Sequence, residues 1–349
     1  MLQNNSLYNA ILPSEWERQD AIVMAWPHRD TDWSYMLNEV ETCYKAIASA
    51  IVREMSLIVV APNIEEVGCK LSDIDHNERI VFLECDTNDT WARDFGPISV
   101  INGDDRLMLD FKFDAWGMKF AANKDNLICR SMERSGIFNS KFVNCQDFVL
   151  EGGSIESDGK GTILTTSRCL LSPNRNSFLS KQEIENVLRS RLGAKKVLWL
   201  NHGELAGDDT DAHIDTLARL APNDTILYVR CEDTSDEQYE SLMLMEKELM
   251  SMTNVNDKPF NLLPLPCPDP IVDENGDRLP ATYANFLITN NQVLVPVYGQ
   301  PDNDNKALNT IKKAFSDRDV VGIDCNALIK QHGSLHCITM QIPENFLKK

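Results

Sequence analysis

The sequence predicts an α/β fold of repeated units set radially around a centre, and three observations carry that prediction. Apolar runs of strand length alternate with amphipathic stretches of helical length. A strand–strand–helix–strand order recurs at intervals of roughly 55 to 75 residues. Each unit contains a hairpin, which a plain doubly wound sheet does not need. The repeat is one of element order, with no sequence identity between units. A chain of 349 residues, 43% hydrophobic and 25% charged, is globular and makes one large domain or two ordinary ones.

Residues 20–26 are a continuous apolar run and predict a buried strand. Residues 37–54 place Val40, Tyr44, Ile47, Ala48 and Ile51 on one helical face. Residues 57–60 and 80–83 are short buried strands flanking a helix over 64–71. Residues 98–101 and 107–113 form a hairpin that turns at Asn102-Gly103-Asp104-Asp105. A helix over 121–134 and a strand over 141–144 complete that unit. The next has strands over 154–156 and 162–166, a helix over 181–192 with Ser180 as cap and Glu183 at the capping-box position, and a strand over 196–200. A further unit has strands over 214–220 and 225–229, a helix over 235–250 and a strand over 260–265. The last has strands over 284–289 and 293–297, a helix over 302–315 and a strand over 320–323. An Ile-Thr-Met-Gln-Ile strand ends the chain.

Bulk properties narrow the function. A net charge of −19 argues against nucleic acid, whose phosphates it would repel; it suits a small cationic substrate, or solubility alone. No apolar run reaches the roughly 18 residues a membrane span needs, so no membrane partner is expected. Residues 1–9 are polar, without a basic stretch leading into an apolar one, so no signal peptide is expected. The ten cysteines are scattered and form no Cys-x-x-Cys pair, as befits reduced thiols in a cytoplasm. The glycine-rich loops that cradle dinucleotides or phosphates are missing.

Four stretches carry candidate chemistry. Cys337 stands between a loop with two histidines and an apolar strand, where a thiol can be partly exposed and reactive or simply part of the core. Trp91-Ala-Arg-Asp-Phe-Gly-Pro97 sets an aromatic, a cation and a carboxylate in one loop. There Asp94 can grip a planar guanidinium, or pair with Arg93 to brace the loop. Glu151-Gly152-Gly153 puts a carboxylate beside backbone free to approach another group closely, or is an ordinary turn. In Asp208-Asp-Thr-Asp-Ala-His-Ile-Asp215, His213 and Asp215 share a face if the segment is a strand. A histidine among carboxylates favours its protonated form and suits a proton carrier; it also suits a metal ligand or a structural role.

Together these stretches resemble a known family. Trp91 to Pro97, Phe111-Lys-Phe-Asp-Ala-Trp-Gly117, Glu151-Gly-Gly-Ser-Ile155, Thr210-Asp-Ala-His-Ile-Asp215 and Leu335-His-Cys-Ile-Thr339 follow the order found in agmatine deiminases. These belong to the bacterial-type peptidylarginine deiminase family of the guanidine-modifying superfamily. Pro13-Ser-Glu-Trp-Glu-Arg-Gln-Asp20 resembles its N-terminal signature. The resemblance implies a five-bladed α/β propeller of ββαβ units, of pentein type, around a central site, in a single catalytic domain over residues 1–349. It implies Cys337 as nucleophile, His213 as proton shuttle, Asp94 and Asp215 holding the guanidinium, and Glu151 bonding substrate or His213. Trp91, Trp116 and Asp209 are candidates for the far end of the pocket. No metal or organic cofactor is expected, and homo-oligomers, dimers or larger, are expected by analogy. The expected substrate is agmatine, on a route to putrescine. The alternatives are free arginine or another guanidino compound, or a silent propeller that binds cationic amines. Two departures flank Cys337: the preceding loop, usually glycine-rich, reads Gln331-His332-Gly333-Ser334, and a position that is commonly Gln is Met340.

Overall fold

Five small sheets make up the chain in the computed structural model, which describes Leu7 and residues 10–348. The stretch read as lacking a signal peptide, residues 1–9, lies outside the described residues apart from Leu7. The first sheet contains β1 (Gln19–Ala25), β2 (Ser56–Ala61) and β3 (Ile80–Glu84). The second contains β4 (Ile98–Asn102), β5 (Asp105–Lys112) and β6 (Lys141–Val149). The third has β7 (Ile155–Ser157), β8 (Thr162–Thr166) and β9 (Lys196–Leu200). The fourth has β10 (Ala218–Ala221), β11 (Thr225–Arg230) and β12 (Asn261–Pro266). The fifth has β13 (Leu287–Ile288), β14 (Gln292–Val297) and β15 (Asp319–Asp324). The last strand, β16 (Met340–Pro343), returns to pair antiparallel with β1, so the two ends of the chain share the first sheet.

Every sheet follows one rule: an antiparallel pair, then a parallel strand reached through a helix. This is the ββαβ order read from the sequence, and five such sheets fit a propeller-like arrangement. The first sheet adds β3 through a second helix, Ile64–Lys70. The hairpins turn where the turn chemistry predicts: Asn102 pairs with Asp105 across Gly103, whose φ of 59° a side chain would resist. The Ser180–Glu183 capping box forms in full at the start of helix Lys181–Leu192.

Some boundaries differ from the sequence reading. Residues 121–124 are not helical, and the helix starts only at Ile128–Ser135 after a short 3-10 turn. Asn126 Nδ2 donates to the carbonyls of Phe113 and Ala122, and Asp125 Oδ1 accepts from the Asn88 N–H, so this stretch braces a loop instead. Residues 214–216 form a 3-10 turn, not a strand, because the Thr216 hydroxyl donates to the His213 carbonyl and Leu217 N–H to that of Ile214. The run 284–289 shortens to β13 because Arg219 takes the carbonyls of Ala284 and Phe286. The final strand starts at Met340, as the Thr339 hydroxyl donates to the carbonyls of Leu335 and His336.

The connections between sheets position the chemistry. Asp94 lies between β3 and β4, Glu151 between β6 and β7, and His213 and Asp215 between β9 and β10. Asn285 lies between β12 and β13, and Cys337 between β15 and β16. Each inter-sheet segment thus delivers a polar side chain to one place.

Candidate active site

Gly153 marks the middle of that place. A methyl group there would lie 2.7 Å from His213 Nδ1, 2.9 Å from Asp94 Oδ1 and 3.1 Å from Asp215 Oδ2. Three groups from two segments, Asp94 from one and His213 with Asp215 from another, therefore converge on a residue that must lack a side chain. Its neighbour Gly152 lies closer still to the Arg93 carbonyl, which an added Cβ would overlap. The Gly-Gly pair is a device for close approach.

Asp94 is buried in the short helix Ala92–Phe95 and accepts two hydrogen bonds, from Gly153 N–H (3.0 Å) and Trp116 Nε1 (2.9 Å). Burial raises its carboxyl to about 6, against the pull of His213 and with the help of Asp215 and Glu151. Trp116 is aimed at it by four successive residues with positive φ: Ala115 (54°), Trp116 (57°), Gly117 (90°) and Met118 (66°). Asp114 Oδ1 clamps the turn by accepting the Gly117 N–H at 2.9 Å. Left-handed backbone at three non-glycine residues is strain of the sort that marks functional sites.

Glu151 is fully buried, with Arg175 Nε 3.0 and 2.8 Å from its two oxygens. Burial would raise its pKa, but the guanidinium charge and then His213 outweigh it, and the carboxyl falls to about 2. Arg175 also donates to Asp211 Oδ2 (2.6 Å) and to the Thr210 carbonyl (2.9 Å), fixing the segment that leads into His213. His213 lies with Nε2 3.6 Å from Glu151 Oε2 and Nδ1 3.7 Å from Asp94 Oδ1. Neither ring nitrogen has a hydrogen-bond partner among the described residues. Burial favours the neutral ring, yet Asp94, Cys169 and Glu151 outweigh it, and the pKa stands well above the ordinary value.

Cys337 departs from the partly exposed, acidic thiol that its sequence neighbours suggest. It is 4% exposed, with Sγ 3.4 Å from Asn285 Oδ1 and 3.7 Å from Asp215 Oδ2. Burial, then the carboxylates of Asp215 and Asp94, push the thiol well above its usual range. Those carboxylates are remote in sequence, so the local motif gave no sign of them. Asp215 Oδ2 accepts from His336 Nδ1 at 2.8 Å, while its buried Oδ1 has no partner among the described residues. His336 in turn faces Glu15, at 3.0 and 2.9 Å from Nε2, and Glu15 is held by Arg93 and Arg219. Burial alone would raise Asp215; His336 and His213 outweigh it and hold its carboxyl down.

Above these groups opens a cleft of about 430 Å³. Trp91, Trp116 and Phe120 wall it, Cys337 and Asp94 lie at its inner end, and Asp32, Asp89 and Asp209 also line it. No lysine or arginine is among its lining residues. The cleft is thus built for a cation with an apolar middle. Of the residues singled out from the sequence, Trp91, Asp94, Trp116, Asp209 and Cys337 line the cleft, while Glu151, His213 and Asp215 are buried against Asp94 and Cys337; His213 precedes and Asp215 lies within a 3-10 turn, not one strand face.

Sequence reasoning missed Arg175, Asn285, Glu15 and His336. Asn285 had a signal, a polar residue inside an apolar run. Two clusters offer metal-ligand atoms, Glu151–Cys169–His213 and Glu15–Glu156–His336. Both fit a metal poorly, because guanidinium groups already supply the positive charge: Arg175 on Glu151, Arg93 on Glu15, and Arg219 on Glu15 and Glu156.

The family model described as Porphyromonas-type peptidyl-arginine deiminase matches residues 11–343. A curated relative from Lactococcus lactis subsp. lactis, named "Putative agmatine deiminase", is 34% identical, with 95% of each chain covered. The crystal structure of the "Putative Arginine Deiminase" from Porphyromonas gingivalis is 50% identical with a TM-score of 0.93, covering 97% of this chain and 100% of that one. An agmatine deiminase of C. jejuni with substrate bound is 37% identical with a TM-score of 0.89, covering 97% of both.

Proposed function

The chain belongs to the Porphyromonas-type peptidyl-arginine deiminase family, and from that premise we propose that it hydrolyses agmatine to N-carbamoylputrescine and ammonia. The observation that carries the proposal is the acidic, aromatic-walled cleft ending at Cys337, Asp94 and Asp215, with no lysine or arginine lining it. Agmatine is cationic at both ends and apolar between. The carboxylate of free arginine would enter a cleft lined by Asp32 and Asp209 with no lysine or arginine to offset them.

Asp94 and Asp215 receive the guanidinium N–H groups and fix its plane against Sγ. The bound cation reverses the field that Asp94 and Asp215 impose on the thiol, so the buried thiol ionises as substrate binds and its proton passes to solvent. The thiolate attacks the guanidinium carbon and a C–S bond forms. His213, charged at the outset, gives its proton to the departing amino group, which leaves as ammonia. A thiouronium remains on Cys337. Water then attacks the same carbon and His213 takes its proton. The C–S bond breaks, the remaining hydroxyl proton of the adduct goes to the departing sulfur, and the thiol is restored as the ureido product is released. Glu151, held ionised by Arg175, keeps His213 oriented between the two steps. This chemistry needs no metal or organic cofactor.

The same reading makes residues 1–349 one catalytic domain acting in the cytoplasm on a route to putrescine, as a dimer or larger assembly. Among the described residues no helix is long and apolar enough to cross a membrane.

The test is ammonia and ureido-product formation from agmatine, free arginine and an arginine peptide. Turnover of agmatine in preference to the other two supports the proposal. Preference for arginine would keep the chemistry and overturn the substrate. Binding without turnover of any of the three would favour the silent amine binder.

A further inference from the structure

We propose that His332 is a specificity-determining residue for the far end of the substrate. Its ring, anchored through Nδ1, offers Nε2 to a primary ammonium shared with Asp209. The inference rests on the deimination reading and concerns the end of the substrate opposite the guanidinium.

Three observations place His332 in that role. The first is its backbone. His332 holds a left-handed φ of 63°, and the next residue, Gly333, lies so flat on Trp91 that an added Cβ would come within 2.1 Å of the indole. The loop before Cys337 is thereby folded against the cleft wall, and His332 lines the cleft. The second is the tautomer. His332 Nδ1 lies 2.8 Å from the Gly207 carbonyl oxygen, which can only accept, so Nδ1 carries the proton. In the neutral ring Nε2 is then an acceptor, and it has no protein partner among the described residues.

The third observation is the company the ring keeps. Asp209 comes from the loop that carries Gly207, and no side chain among the described residues donates a hydrogen bond to its carboxylate. Burial raises that carboxyl to about 6, and His332 is the foremost charge opposing the rise, with Asp208 adding to it and Lys119 and His213 opposing. Lys119 is committed to the Asp209 carbonyl and the Asp211 carboxylate. Asp32, Asp89 and Asp94 also line the cleft. Among the lining residues His332 is the one imidazole, and its unpaired ring nitrogen is the acceptor it offers to an ammonium.

The readout is KM and kcat for wild type, His332→Gly and His332→Asn, residues that accept a left-handed backbone. The two probes are agmatine and butylguanidine, which has the same guanidine and carbon chain but no amine. For agmatine, KM should rise by about tenfold in His332→Gly, with kcat little changed. For butylguanidine KM should be unchanged. An unchanged KM for agmatine, or an equal rise with both probes, would overturn the inference. Absence of turnover of both probes by wild type is a different result, and would overturn the deimination reading itself.

Discussion

Replacing Gly153 by alanine probes the site at its geometric centre. The backbone tolerates the change, since Gly153 is not among the glycines with positive φ. Its cost falls on the functional groups. The new methyl would lie 2.7 Å from His213 Nδ1 and 2.9 Å from Asp94 Oδ1, against roughly 3.4 Å for ordinary contact. One or both groups must therefore retreat by about half an ångström, and the Asp94 bond to the Gly153 N–H at 3.0 Å must re-form around them. Displacements of that order in reacting groups cost roughly 10²-fold in rate, or about 2.7 kcal/mol of transition-state stabilisation. The assay is steady-state ammonia release from agmatine, with a thermal melt of the same protein. The expected outcome is a kcat/KM lowered by roughly two orders of magnitude, with Tm within a few degrees of wild type. A Gly153→Ala protein of full activity would refute the convergence of His213, Asp94 and Asp215 on one small volume.

Further outcomes follow from the neighbouring groups. Arg175→Met leaves Glu151 buried without its guanidinium, and should cost roughly 3–5 kcal/mol in denaturant melts at neutral pH. The sign follows from the shift: Glu151 is lowered to about 2, so its stabilisation is present above the unfolded pKa and lost as pH falls toward about 2. The difference between wild type and Arg175→Met should therefore narrow in acid, and a gap that widened there would contradict the assignment. Trp116→Phe keeps the ring but removes the donor to Asp94; kcat/KM for agmatine should drop by about tenfold, measured at saturating and limiting substrate. Iodoacetamide labelling read by peptide mass spectrometry should modify exposed Cys69 well before buried Cys337 in the free protein at neutral pH. Rapid labelling of Cys337 under those conditions would show that burial does not set its reactivity.

The strand and helix order was legible because its signals are local. Buried strands read as apolar runs, and turn residues such as Asn102-Gly103 and Asn290-Asn291 stand where the hairpins reverse. The principal site residues were legible through their motifs. What the sequence did not disclose is what depends on distant segments. Cys337 has polar neighbours in sequence, yet its pKa answers to Asp215 and Asp94, which arrive from other sheets. Arg175 sits in a loop with no motif of its own, and only the fold brings it onto Glu151 and Asp211. His336 adjoins Cys337 but looks away from the cleft, toward Asp215 and Glu15, and residue spacing cannot tell those two directions apart. The reading of residues 214–216 as strand failed because side-chain and backbone hydrogen bonds at Thr216 and Leu217 tighten the turn.

Covalent attachment at Cys337 is the centre of the account, and acid quenching during turnover of agmatine, followed by peptide mass spectrometry, observes it directly. The account predicts a transient adduct of the agmatine-derived amidine on the Cys337 peptide and on no other, with product and adduct both lost in Cys337→Ser. Product formation by Cys337→Ser, or steady turnover with the Cys337 peptide never modified, would contradict it.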